Sequence, residues 1–299
     1  MLLKARAHDG PFSVAVSTDG RRLFSGGADG RVRLWDVTDW ARPRQLVDFE
    51  RHPEPVTAVG LAPDGRTAAA GGDYGTTLLF DLSGTTRPLA RLTGQSYSTR
   101  ATAFSPDSQL LVTGNTDTTN AVWDVRDPAA PRRITTIQDE NSTYAGTFSS
   151  RGRTLALAQE GRKTTLYDLS DPGAPAQLAV LRGQASSVYT VAFSPDGKLL
   201  GTGGYDKTAI IWDVTDLRAP RELTSVRDHP TSVGVVLFSP DQRTVAIAGS
   251  DSPRLWDVRE LTDIVARPVE VACDIVREGL TERDWPRYAQ DVAYRKTCA

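Results

Sequence analysis

The chain has few of the cysteine and histidine residues that bind metal ions, and it has no long apolar run. Two cysteines, and no histidine beyond residue 229, leave too few ligands near the end of the chain for a zinc site, which needs four. No apolar run approaches the roughly 18–20 residues of a membrane span. Only five of the 35 cationic side chains are lysines, a bias that suggests a GC-rich bacterial genome.

The near-neutral net charge and the lack of known catalytic motifs exclude further classes of function. The formal net charge of −2 gives no bulk field toward nucleic acid or an anionic membrane, and the sequence has no basic cluster. The first eight residues are too short and too charged for a secretory segment, so we expect a cytoplasmic protein. The sequence contains no phosphate-binding loop, zinc-protease helix or nucleophile elbow. We therefore predict no catalytic, cofactor-binding or metal-binding residues.

What the chain does have is an internal repeat. An aromatic residue followed by Asp recurs every 43 to 45 residues, at Trp35, Phe80, Trp123, Tyr167, Trp212 and Trp256. A fixed period of about 40–45 residues indicates one supersecondary unit copied in tandem.

Each copy also has a turn signature 17 or 18 residues before the aromatic, such as Ser194-Pro-Asp-Gly197. Pro presets φ, Asp bonds its own backbone and Gly tolerates positive φ, so this sequence favours a tight turn. Short β-patterned runs lie on both sides of the turn, a third ends at the aromatic, and a fourth follows a Pro-bearing connection. Four short strands per period predict an antiparallel sheet.

Over residues 1–258 these features resemble the WD40-repeat family. The resemblance implies an all-β propeller, in which each copy forms a four-stranded blade around a channel. In that family a hydrogen-bonded His, Ser or Thr, Asp and Trp stabilise each blade. The matching residues of the first copy are His8, Ser25, Asp29 and Trp35; those of the third are Gln95, Thr113, Asp117 and Trp123; those of the fifth are Gln184, Thr202, Asp206 and Trp212.

The other copies depart from this set. The second keeps His52 but has Ala70 and Phe80, and the sixth keeps His229 and Trp256. The fourth departs furthest, with Asp139, Gly161 and Tyr167 at the matching places. All three histidines of the chain occupy the same slot of the repeat. That recurrence favours a structural role for them over a catalytic one.

The number of strand-like runs predicts how the ring closes. Six triplets of runs end at the aromatic residues, but no fourth run follows Trp256-Asp257. The segment Leu2–Ala7 has the character of a fourth strand, and we expect it to pair with the last triplet and close six blades. An open ring would expose unpaired sheet edges. The alternatives are a seventh blade completed by something else and a fragment of a longer array.

Residues 259–299 no longer follow the repeat. Apolar residues at spacings of three and four predict short helices, and we expect this extension to pack on the propeller. Cys273 and Cys298 both lie in it. They are either a disulfide or two buried thiols, and a cytosolic location favours the thiols.

The expected function is a non-enzymatic scaffold that binds a protein or peptide on one propeller face, as a monomer unless it joins a larger assembly. Residues that break the repeat on one face are the candidates: Arg100, Tyr144, Tyr189 and Tyr205. Tyr and Arg often dominate interface affinity. These four residues either bind a partner or merely fill the channel mouth. The alternatives are a metal- or carboxylate-dependent hydrolase or lyase, for which Glu160 is the one candidate acid, and a remnant of a longer signalling protein.

Overall fold

The computed structural model describes residues 8–10, 12–227, 229–251, 253–259 and 261. They form six antiparallel sheets in chain order, each built from consecutive strands. Five sheets have four strands and the sixth has three. The six triplets predicted from the repeat are therefore confirmed, as are the five fourth strands that connect them.

In each sheet the first strand in the chain is the innermost, and the following strands lie successively further out. The innermost strands are β1 (Phe12–Val16), β5 (Val56–Leu61), β9 (Thr99–Phe104), β13 (Thr143–Phe148), β17 (Val188–Phe193) and β21 (Val235–Phe238). The second strands are β2 (Arg22–Gly27), β6 (Thr67–Gly72), β10 (Leu110–Asn115), β14 (Thr154–Gln159), β18 (Leu199–Gly204) and β22 (Thr244–Ala248). The third strands are β3 (Val32–Asp36), β7 (Thr77–Asp81), β11 (Thr119–Asp124), β15 (Lys163–Asp168), β19 (Ala209–Asp213) and β23 (Arg254–Asp257). The fourth strands are β4 (Arg44–Asp48), β8 (Pro88–Leu92), β12 (Arg132–Gln138), β16 (Ala176–Leu181) and β20 (Arg221–Val226).

The turn between the first two strands of each sheet has the chemistry expected of its sequence. In the first sheet the Ser17 hydroxyl donates to the Asp19 carboxylate at 2.6 Å, which also accepts from the Arg21 backbone at 3.0 Å. Gly20 follows at φ 69°. Ser108 takes the same left-handed conformation at φ 58°, although it is not a glycine, because the turn closes around it in the same way. The turn geometry is thus set locally.

The cores lie between neighbouring sheets. Between the first and second, Phe24, Phe49 and Phe80 pack with their ring centroids 4.9 to 6.0 Å apart. Each innermost strand packs against the next one along the chain, from β1 through to β21. The described residues thus form a β-propeller of six blades.

The described strands leave one opening in this arrangement. Strands β21 and β1 do not pack against each other as the other five neighbouring pairs do. The predicted clasp, Leu2–Ala7, lies outside the described residues, so closure by that segment stays a prediction. The helical extension predicted for residues 259–299, with Cys273 and Cys298, also falls outside them except for Arg259 and Leu261. No helix in the described part of the chain is long and apolar enough to cross a membrane.

Candidate partner-binding face

The first sheet holds its strands together through one buried hydrogen-bonded set. His8 contacts the Asp29 carboxylate through Nδ1 at 3.0 Å and the Ser25 hydroxyl through Nε2 at 2.8 Å. The Trp35 indole donates to the same hydroxyl at 2.9 Å. Burial by itself raises the pKa of Asp29, but hydrogen bonds from His8 and two backbone N–H groups lower it below its usual value. Both ring nitrogens of His8 are therefore engaged in holding the sheet.

The third sheet builds the same arrangement around an amide. The Thr113 hydroxyl donates to Gln95 Oε1 at 2.8 Å and accepts from the Trp123 indole at 3.0 Å. Asp117 accepts from the backbone of Ser96 at 3.3 Å. Gln95 therefore replaces the imidazole in its contact with the hydroxyl, while Asp117 still fixes the connection that enters the sheet.

The fifth sheet repeats this amide version. Gln184 donates to the Thr202 hydroxyl at 2.6 Å, and the Trp212 indole donates to it at 3.0 Å. Asp206 accepts from the backbone N–H of Ala185 and, at 3.0 Å, of Thr208. The structure thus brings together the residues of all three predicted sets, each in its own sheet.

The fourth sheet uses a different chemistry at the same place. The Lys163 ammonium lies 2.7 Å from Asp139 Oδ1, and the Tyr167 hydroxyl donates to Oδ2 at 3.0 Å. Burial by itself raises the pKa of Asp139, but the hydrogen bond from Lys163 leads the effects that lower it below its usual value. Burial and the neighbouring carboxylate raise the pKa of Tyr167. Sequence reasoning missed Lys163, whose only signal was a rare lysine in a strand.

The second sheet has neither the hydrogen-bonded set of the first, third and fifth sheets nor the ion pair of the fourth. Ala70 takes the place of the serine, so the His52 ring has no side-chain hydroxyl to meet. Its Nδ1 lies 3.1 Å from the Glu54 backbone nitrogen, which donates to it. Burial lowers the pKa of His52.

Three of the four residues predicted for a partner face lie at backbone irregularities of the innermost strands. The ladder register skips Arg100 in β9, Tyr144 in β13 and Tyr189 in β17, each of which forms a β-bulge. A bulge leaves one residue out of the pairing and turns its side chain away from the regular alternation. The same kind of bulge therefore sets the direction of all three side chains, in three neighbouring sheets.

Three tyrosines form a continuous row at this end of the sheets. The Tyr144 and Tyr189 rings meet edge to face, with centroids 5.2 Å apart and an angle of 88°. Tyr205, in the connection between β18 and β19, meets Tyr189 in the same way at 5.9 Å and 73°. Edge-to-face geometry is a favoured arrangement of aromatic pairs. The row crosses from the fourth sheet to the fifth and ends at Tyr205, which is 59% exposed.

Charges of both signs flank the row. Burial, followed by the negative charge of Glu160, raises the pKa of Tyr144, whereas the positive charge of Arg100 acts in the opposite direction. Arg100 and Glu160 are both exposed. The structure therefore places all four predicted face residues at one end of neighbouring sheets, with Glu160 beside them.

Sequence reasoning missed one exposed aromatic residue on this face. Tyr74 lies in the connection between β6 and β7 and is 72% exposed. It occupies the place that Asp29 has in the first sheet, and its backbone N–H donates to Glu54 at 2.9 Å. Tyr97, in the next connection on the same face, is also exposed. An aromatic residue at the usual Asp position was the available signal.

The described residues show no metal centre by geometry, since no group of three or more His, Cys, Asp or Glu side chains in that part of the chain could hold an ion. Glu160 has no such companions there. The neighbouring Arg, Tyr and Glu side chains offer hydrogen bonds, aromatic surface and charge at this end of the sheets.

A family model described as "WD domain, G-beta repeat" matches residues 2–36, 43–81, 86–124 and 175–213. The matched ranges end at the aromatic-Asp pairs of the first, second, third and fifth sheets, and they pass over the fourth sheet, where Asp139 and Lys163 replace the usual set.

Two curated relatives align with part of the chain. Protein HIR1 of Eremothecium gossypii is 26% identical over 121 residues, which cover 40% of this chain and 11% of the relative. Nuclear distribution protein PAC1 of Ajellomyces capsulatus is 31% identical over 113 residues, which cover 38% of this chain and 20% of the relative. The aligned part is thus a small fraction of each relative's length.

Proposed function

Because the chain belongs to the WD40 family of β-propellers, we propose that it is a non-enzymatic scaffold that binds a protein or peptide on the face formed by Arg100, Tyr144, Tyr189 and Tyr205. Propellers of this family typically serve as protein-interaction scaffolds. The relatives' roles belong to much longer proteins. We further propose that this scaffold is monomeric and acts in the cytoplasm.

The observation that carries the proposal is the row of three tyrosine rings. The hydrogen-bonded sets already stabilise the sheets, so the fold does not require aromatic residues at the bulges; the second sheet has Thr57 at the matching bulge. Tyrosines give large, rigid contact area, and partly buried aromatic anchors often dominate the affinity of an interface.

The flanking charges favour a peptide or protein partner over a purely apolar ligand. Arg100 can donate hydrogen bonds to a carboxylate or a backbone carbonyl, and Glu160 can accept hydrogen bonds from N–H groups. An extended segment across the mouth would meet Arg100 first, then Tyr144 and Glu160, then Tyr189 and Tyr205. Exposed Tyr74 and Tyr97 extend the same surface toward the second and third sheets.

The test begins with affinity capture from the native host and identification of the captured protein by mass spectrometry. The purified partner is then titrated against the wild type and a variant carrying Tyr144→Ala, Tyr189→Ala and Tyr205→Ala. We expect a loss of affinity of at least about 30-fold, since hot-spot side chains contribute about 2 kcal/mol or more. Arg100→Ala should give a smaller loss.

The matched control is Trp40→Ala, because Trp40 is also an exposed aromatic but lies in a connection at the opposite end of the sheets. It should leave the affinity unchanged. Thermal melting of every variant shows that the fold is retained. Wild-type affinity in the triple variant, with unchanged melting, would rule this face out.

A further inference from the structure

The turn between the first two strands of the fourth sheet differs in charge from its five counterparts. Those five turns share an aspartate at the third position of the turn signature: Asp19, Asp64, Asp107, Asp196 and Asp241. In each, the carboxylate accepts a hydrogen bond of 2.9 to 3.1 Å from the backbone N–H two residues further along the chain. The fourth turn has Arg151 at this position, so a positive charge replaces a negative one.

The groups that hold the carboxylate in the other turns are still present in the fourth. The residue two positions after Arg151 is Arg153, and its backbone N–H donates to no described residue. In four of the other turns a serine hydroxyl also donates to the aspartate, at 2.6 to 2.7 Å. The matching residue, Ser149, is buried and donates to no described residue; it only accepts from the Arg151 N–H at 3.3 Å. The fourth turn thus keeps two donors and lacks the acceptor that they serve elsewhere.

The Arg151 side chain lies over the neighbouring turn of the fifth sheet. A Cβ added at Gly197 of that turn would lie 2.7 Å from Cγ and Cδ of Arg151. At Gly20 and Gly65, the corresponding glycines of the first and second sheets, such a Cβ would have no atom within 4 Å. The aliphatic part of Arg151 therefore packs on the glycine, and this contact holds the arginine at the junction of the two sheets.

A cleft of about 680 Å³ opens at this junction. Ser149, Arg151 and Gly197 line it on the side of the turns, and the connections that lead to the fourth strands line it on the other side. Its charged residues are three arginines and two aspartates: Arg151, Arg153, Arg218, Asp168 and Asp216. The cleft is therefore polar, with an excess of positive charge.

Both aspartates of the cleft already have donors in their own connections. Asp168 accepts from the backbone N–H and the hydroxyl of Ser170, at 2.8 and 2.6 Å. Asp216 accepts from the backbone N–H of Arg218 at 2.9 Å. The Ser170 hydroxyl leads the effects that lower the pKa of Asp168, and the positive charge of Arg218 adds to them. These carboxylates are thus held in their own loops and do not reach the two donors of the turn.

Two of the three guanidinium groups are available to a ligand. The Arg153 guanidinium is paired with Asp107 of the third sheet. Arg151 and Arg218 are both exposed, and neither makes an ion pair with a described residue. A guanidinium presents its N–H groups in a planar fork that matches the oxygen atoms of a carboxylate or a phosphate.

We propose that this cleft binds an oxyanion, the phosphate or carboxylate group of a ligand, in the position that an aspartate carboxylate occupies in the other five turns. The Arg153 N–H and the Ser149 hydroxyl donate to it. Arg151 and Arg218 add charge-assisted hydrogen bonds. The cleft lies at the opposite end of the sheets from the tyrosine row, because the turn and the connection that carries Tyr205 are at opposite ends of their strands. This inference does not depend on the proposed function.

The test is a titration of the isotope-labelled full-length protein with sodium phosphate and, separately, with sodium acetate, at an ionic strength kept constant with sodium chloride. The amide signals of Arg153 and Gly197 in NMR spectra report binding. Arg151→Asp restores the aspartate of the other turns, so the protein's own carboxylate takes the position of the ligand. Arg87→Asp is the matched control, because it makes the same change of charge at an exposed arginine between β7 and β8 of the second sheet.

We expect saturable shifts in the wild type and in Arg87→Asp, and an affinity at least about tenfold lower in Arg151→Asp, since hydrogen bonds to charged groups are lost. The relative affinities of the two probes decide between phosphate and carboxylate as the group recognised. Shifts that do not saturate with either probe, or equal affinities in Arg151→Asp and the wild type, would overturn the proposal. Thermal melting shows that each variant is folded, and Arg218→Ala takes the place of Arg151→Asp if the latter does not fold.

Discussion

The first and fourth sheets use different chemistry at the same position. In the first, His8, Ser25 and Trp35 meet around one hydroxyl, with Asp29 as an outer partner. In the fourth, a carboxylate and an ammonium form a buried ion pair, joined by the Tyr167 hydroxyl. Both arrangements tie the connection that enters the sheet to its third strand. The fold therefore accepts different bonded bridges at this position and does not require one particular set of residues.

The two bridges differ in what remains when one member is removed. Loss of a hydroxyl leaves neutral donors without a partner, whereas loss of a carboxylate leaves a charge buried without one, which costs more. The second sheet, where His52 faces Ala70, shows that a partial set is also compatible with the fold.

The largest effect is expected for Asp139→Ala in the fourth sheet. It leaves the Lys163 ammonium, whose side chain is 10% exposed, without its counter-ion. The free energy of unfolding should fall by about 3–5 kcal/mol. Urea denaturation followed by tryptophan fluorescence measures this change.

The matched control is the double variant Asp139→Ala with Lys163→Met, which removes both charges and keeps an aliphatic chain of similar length. It should recover much of the lost stability. Equal losses in the single and double variants would show that the ion pair does not bridge the fourth sheet as described.

An intermediate effect is expected for Ser25→Ala in the first sheet. The change removes the hydroxyl that His8 and Trp35 share, so two buried nitrogens lose a hydrogen bond. The free energy of unfolding should fall by about 2 kcal/mol, because an unsatisfied buried polar group costs about 1–3 kcal/mol. The same denaturation experiment applies, with exposed Ser83→Ala as the control. A loss as large as that of Asp139→Ala would remove the contrast between the neutral and charged bridges.

The smallest effect is a pH dependence in the second sheet. Because burial lowers the pKa of His52 in the folded protein, the unfolded chain binds a proton more readily below about pH 6.5. The contribution of this group is therefore present above that pH and is lost as the pH falls toward the folded-state pKa. In His52→Gln, which copies the glutamine found at this place in the third and fifth sheets, the free energy of unfolding should decline less between pH 7 and pH 5. Parallel declines in the two proteins would contradict the burial effect.

Much of the architecture was predictable because it depends on residues that are close together in the sequence. The Ser17–Asp19 turn, the aromatic ends of the third strands and the six triplets depend on residues within one period. The membership of the bridges in the first, third and fifth sheets followed from the family resemblance. Bacterial origin, cytoplasmic location and the clasp formed by Leu2–Ala7 stay predictions.

The rest depended on contacts between distant parts of the chain. Lys163 and Asp139 are 24 residues apart, and only the paired strands bring them together. The bulges at Tyr144 and Tyr189 come from the register of two strands, which single-strand alternation does not reveal. Tyr74 was missed because its position in the repeat normally holds an aspartate that the fold uses.

The sequence by itself determined the repeating unit, with its turns, its strand order and the repeat positions whose side chains bridge the strands of a sheet. These features arise from backbone preferences and from residues that are neighbours in the sequence. Tertiary structure decided which tyrosines touch, which charge pairs are buried and which two neighbouring sheets, the sixth and the first, leave apolar side chains of their innermost strands exposed. Those features depend on how close separate sheets approach, and that distance is set by the packed volume of side chains from different repeats.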